Sequence, residues 1–116
     1  MRVSREIGFH AVHSHHGMIT ESKHGHDYKV VLTFEGEPNE EGFVCDFRAI
    51  KRMFKRLVAE PLDGGDLDGL FEFPTAESLA IWIWNRLQIY FPLFYVEVKE
   101  KPHSSAVYFG PKGERS

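Results

Sequence analysis

The chain has 116 residues, 42% of them hydrophobic and 14% aromatic, and a formal net charge of -3. That length suits one domain with a modest core that an oligomer would help to complete, and the apolar content excludes a disordered chain. The slight acidity gives no general electrostatic reason to hold nucleic acid or an anionic membrane, so a small molecule is the expected partner.

Cys45 is the single cysteine, which rules out an internal disulfide, and the leading MRVSREIGF lacks the apolar run of a signal peptide. The stretch LAIWIWNRLQIYF is interrupted by Asn85, Arg86 and Gln88 and is too short for an ordinary membrane span. A cytoplasmic protein without membrane attachment is therefore expected. The Gly, Pro and Asp clusters at 35–42 and 61–69 are loop-sized, and no repeat or linker divides the chain.

In the first segment Val3, Ile7, Phe9, Ala11 and His13 share one alternating face, opposite Arg2, Ser4, Glu6 and His10. This is the period of a half-buried strand. In the second, His24, His26, Tyr28, Val30, Leu32 and Phe34 fall on one face, opposite Asp27, Lys29 and Glu35. Paired as an antiparallel hairpin, the two segments bring His13 toward His24 and His26, with residues 14–23 as a long connection.

Asp46 is placed to cap a helix whose Phe47, Ile50, Met53, Phe54 and Leu57 form one stripe, leaving Arg48, Lys51, Arg52, Lys55 and Arg56 to solvent. Thr75 caps a second helix predicted from Ala76 to about Tyr90, with Glu77 in its first turn and Leu79, Trp82, Ile83 and Leu87 as core bulk. FYVEVKE and SAVYF, separated by KPHS, read as a closing hairpin. The order β-β-α-α-β-β defines an α+β domain with helices on one face of an antiparallel sheet.

Two histidines at i and i+2 on a strand, joined by a third from the neighbouring strand, make a facial trio suited to a divalent metal with an open position. Spacing leaves the third ligand open among His10, His13, His15 and His16, although His13 alone continues the apolar face.

The runs FHAVHSHH and ESKHGHDYKV, then GFVCDFRAIK, LDGGDL, PTAESLAIWIW and VEVKEKPHSSAVYF, resemble in order and across nearly the whole chain the 6-pyruvoyl-tetrahydropterin synthase family, which includes the 6-carboxytetrahydropterin synthases. The resemblance implies a tunnelling fold, homohexamers built as dimers of trimers, a dihydropterin substrate, and zinc held by His13, His24 and His26. It also implies that Glu100 anchors the pterin ring, a role a carboxylate suits because it can accept two parallel N–H bonds. Lys101 stands where the family has a threonine after that glutamate.

The family's synthases use a cysteine shortly before His-Gly-His, assisted by an Asp-His pair. Here GMITESKHGH contains no cysteine, and LDGGDL keeps Asp63 but has Gly64 in place of the histidine. Cys45 does not align with that cysteine and reads as a small buried thiol. Glu21, three residues before His24, instead resembles the branch that cleaves the side chain of dihydroneopterin to leave 6-hydroxymethyl-7,8-dihydropterin. A carboxylate is an adequate base for the hydroxyl proton such a cleavage removes, so Glu21 and Asp63 are the catalytic candidates. His103, near Glu100 in sequence, is a further candidate acid and reads better as an exposed turn residue. The alternatives are 6-pyruvoyl- or 6-carboxytetrahydropterin formation and a non-catalytic zinc and pterin binding protein.

Overall fold

Uninterrupted alternation of apolar and polar side chains builds two twelve-residue strands, β1 (Arg2–His13) and β2 (His24–Glu35). The computed structural model describes residues 1–13, 24–63 and 67–114, without the side chains of His13, His24 and Asp68. With β3 (Leu93–Lys101) and β4 (Ser104–Tyr108), these strands form one antiparallel sheet in the order β1-β2-β3-β4. The β1–β2 register pairs Val3 with Phe34, Phe9 with Tyr28, Ala11 with His26 and His13 with His24. The hairpin read from the sequence therefore has the expected partners.

One face of the sheet is buried, through Phe9, Ala11, Tyr28, Val30, Leu32 and Phe34 of the first pair and Val96 and Val98 of β3. Helices cover it. Helix α1 (Phe47–Phe54) starts at Asp46, whose carboxylate accepts from the Arg48 backbone N–H at 2.9 Å. Ile50 and Phe54 are buried and the five basic residues lie in solvent, as expected, whereas Phe47 at the start of the stripe is 37% exposed.

The helix does not stop near Leu57 but continues through a π-helical segment, Lys55–Ala59, into a last turn, α2 (Glu60–Leu62). Pro61 explains the widening, since it lacks the N–H that would bond the Leu57 carbonyl in an α-helix. That carbonyl accepts from Arg86 Nε at 2.5 Å, so a side chain of the next helix satisfies it.

Helix α3 (Ala76–Leu87) is capped by Thr75, whose hydroxyl accepts from the Ser78 N–H at 3.1 Å. It ends three residues before the predicted Tyr90, because a turn closed by Tyr90 N–H on Leu87 O leads to Pro92 and the start of β3. Leu79, Ile83 and Leu87 are fully buried. Burying each stabilises by about 1.5–3 kcal/mol, well above the few tenths expected of an exposed side-chain pair on a helix, so packing fixes the helix layer. Gly110 closes the core after β4 with φ of +90°, and a Cβ there would sit 2.5 Å from Trp84. Only glycine meets both conditions.

Candidate active site

The three histidine positions gather where β1 ends and β2 begins. His13 faces His24 in the register, and Ala11 faces His26, so three histidines occupy adjoining ladder positions on two hydrogen-bonded strands. His26 continues the buried face of β2 outward and is half-buried. Below it, Tyr28 lies stacked on Phe9 with ring centroids 5.0 Å apart, and His26 meets Tyr28 edge-on at 5.9 Å. Tyr28 is buried, and among the described residues its Oη has no hydrogen-bond partner. Burial, followed by the charge of Glu100, pushes the phenol well above the usual tyrosine range, so it remains an O–H group.

Glu100 comes to this end from β3. The β3–β4 ladder pairs Lys99 with Ser105 and Lys101 with Ser104, which makes Glu100 the extra residue of a bulge. A bulge bends the strand and redirects a side chain, and bulges concentrate beside active sites. The Glu100 carboxylate lies 3.3 Å from His26 Nε2. It also lines a cleft of about 280 Å³ with Pro74, Thr75, Ala76, Glu77, Ser104 and Ser105, at the start of α3. A second cleft of about 300 Å³, on the polar side of the sheet, holds Glu100 with Glu6, Asp27, Lys29, Lys99 and Lys101.

Asp63, at the end of α2, is exposed and accepts from the His10 backbone N–H at 2.8 Å, which ties the helix end to the outer edge of β1. Glu21 and Gly64 lie outside the described residues. His103 occupies the exposed β3–β4 turn. Cys45 is half-buried beside the α1 cap, and burial pushes its thiol up, away from the thiolate form that a nucleophile needs.

The sequence reading missed Tyr28 as a neighbour of the site, the hydroxyls of Thr75, Ser104 and Ser105 around the Glu100 cleft, and the pairing of His10 with Asp27. A signal for the last was present, because both residues fall on the polar face at positions the hairpin register opposes.

Among the described side chains no three His, Cys, Asp or Glu groups assemble as a metal site, and His26 is the one member of the trio whose side chain is included. The donor chemistry fits zinc, because histidines occupy three adjoining ladder positions at the end of two paired strands.

A four-stranded antiparallel sheet carrying its helices on one face, with the sequence order β-β-α-α-β-β, defines the tunnelling-fold class. The solved Caenorhabditis elegans 6-pyruvoyl tetrahydropterin synthase superposes with a TM-score of 0.81 at 24% identity, covering 95% of each chain. Two solved variants of the Plasmodium vivax enzyme, described as catalytic-residue mutants with a glutamate replaced by alanine or cysteine, superpose with a TM-score of 0.70 at 17% identity over 92% of this chain and 96% of theirs.

Residues 2–111 match the family model described as 6-pyruvoyl tetrahydropterin synthase, and the chain belongs to that family of pterin enzymes. The human 6-pyruvoyl tetrahydrobiopterin synthase is 31% identical over 94% of this chain and 91% of its own length. A Pyrococcus furiosus protein named dihydroneopterin monophosphate aldolase is 32% identical over 75% of each.

Proposed function

We propose that the chain is a zinc-dependent lyase that converts 7,8-dihydroneopterin, or its triphosphate, to 6-hydroxymethyl-7,8-dihydropterin. The observation that carries the reading is the 3.3 Å contact between His26 and Glu100, which joins the histidine cluster to the carboxylate in the cleft at the start of α3. Glu21, in a stretch of sequence without cysteine, and the similarity to a relative named an aldolase support this reaction within the family.

In this reading Glu100 accepts two parallel N–H bonds from the amidine edge of the pterin, while Thr75, Ser104 and Ser105 offer hydroxyls along the same cleft. The bound ring then sets its side chain toward His26. His13, His24 and His26 would hold zinc, whose Lewis acidity makes a bound hydroxyl easier to ionise.

Glu21 removes the proton of the C2' hydroxyl. As the C2' carbonyl forms, the C1'–C2' bond breaks and its electron pair passes through C1' into the N5=C6 imine of the ring. Protonation at C1' gives the hydroxymethyl group and releases glycolaldehyde, or its triphosphate from the phosphorylated substrate. Asp63, joined to His10, or a water would return that proton.

Assembly as a homohexamer of two trimers belongs to the same reading. β1 and β4 are both terminal strands of the sheet, and neighbouring subunits would continue the ladder there. Glu21→Ala separates the roles: turnover should fall to background while zinc content stays at the wild-type level. Undiminished turnover would remove Glu21 from the mechanism.

A further inference from the structure

His10 stands outside the trio and points to the other side of the sheet, yet it touches the strand that carries two of the metal candidates. Its Nδ1 lies 2.9 Å from Asp27 Oδ1, directly across the β1–β2 ladder. Its ring covers Gly25, where a Cβ would meet Nε2 at 3.0 Å and Cε1 at 3.1 Å. Its backbone N–H donates to Asp63 at 2.8 Å. One residue thus connects the end of α2, the edge of β1 and the segment between His24 and His26.

This contact makes glycine the residue that leaves the His10 ring where it lies. Positions 24 and 26 fall on one face of the strand, and the opposite face at position 25 is covered by the His10 imidazole of the neighbouring strand. Any larger residue at position 25 would force that ring to move.

We propose that His10 is a positioning residue for the metal-binding end of β2: its ring, held by Asp27, packs on Gly25 and fixes the backbone that spaces His24 and His26. The His10 and Asp27 side chains are 49% and 89% exposed, so the pair adds little to global stability. Its effect is to select one imidazole rotamer. Groups that hydrogen-bond metal ligands alter affinity by about 10–100-fold, and a support that acts through the backbone between two ligands is expected at the lower end of that range.

The inference rests on the zinc reading proposed above, and its test separates the two. Metal-free full-length protein is titrated with zinc against a chromogenic chelator, and cobalt(II) spectra report the ligand geometry. The wild type should bind one zinc per chain. His10→Ala should weaken binding about tenfold and alter the cobalt bands, with the melting temperature nearly unchanged. Gly25→Ala should weaken binding comparably in the wild type and add almost nothing in the His10→Ala chain, because the ring it displaces is already gone.

Should His10→Ala fail to fold, Asp27→Ala, which removes the holder and leaves β1 intact, should also weaken binding several-fold. Wild-type zinc affinity in the His10 and Asp27 variants, or an equal penalty for Gly25→Ala in both backgrounds, would overturn the positioning role. A wild type that binds no zinc would overturn the metal reading and this inference with it.

Discussion

Replacing Tyr28 with phenylalanine removes one hydroxyl from a side chain that is 1% exposed and whose Oη has no hydrogen-bond partner among the described residues. An unpaired buried hydroxyl costs about 1–3 kcal/mol on scales drawn from protein mutations. The aromatic contacts stay, because Tyr28→Phe keeps the ring that stacks on Phe9 at 5.0 Å. Local relaxation takes back part of the gain, so the expected stabilisation is about 1 kcal/mol, or roughly 3–6 °C in melting temperature for a chain of this size. Urea unfolding of metal-free protein, followed by circular dichroism and fluorescence together, would show a higher midpoint with an unchanged slope. A loss of about 1 kcal/mol or more would mean that the phenol has an acceptor in solution. The reading of Tyr28 as an unsatisfied group would then fail.

Glu100→Gln should weaken pterin binding by about one to two orders of magnitude, since it replaces one acceptor oxygen with a donor and removes the charge, while zinc content measured by atomic absorption stays the same. Arg86→Met should cost about 1 kcal/mol by leaving the Leu57 carbonyl without its donor, and adding Pro61→Ala should recover part of the loss by restoring a backbone N–H. Asp46 is held below the usual carboxylate range by its side-chain hydrogen bond with Arg48, then by the Arg48 backbone N–H. Because the folded value is the lower one, its contribution is complete above the unfolded value of about 3.9 and is lost as pH falls through the folded value. The stability difference between wild type and Asp46→Ala, measured by urea unfolding from pH 7 downward, should therefore narrow only in that acid window.

Much of the fold is legible because it rests on local chemistry. Alternation in β1 and β2 places the buried face, and Asp46 and Thr75 cap the helices as their side chains require. Opposing the two alternating segments is enough to bring His13 beside His24. The rest depends on partners distant in sequence. The π-helical turn follows from Pro61 but needs Arg86, 29 residues away along the chain, to satisfy Leu57. The bulge that redirects Glu100 is a property of the β3–β4 register, which no residue of KEKPHSS declares. His10 looked like one polar residue among several, because only the paired strands show that its ring fills the space above Gly25. The role proposed for Glu100 comes from the resemblance to the family; alternation alone leaves it a strand-end carboxylate.

The central claim is tested most directly by identifying the product. Zinc-loaded protein would be incubated separately with 7,8-dihydroneopterin and with its triphosphate, and the products resolved by chromatography with mass detection. The account predicts 6-hydroxymethyl-7,8-dihydropterin together with glycolaldehyde or its triphosphate, over many turnovers. A 6-pyruvoyl or 6-carboxy product, free triphosphate, or tight pterin binding without turnover would contradict it.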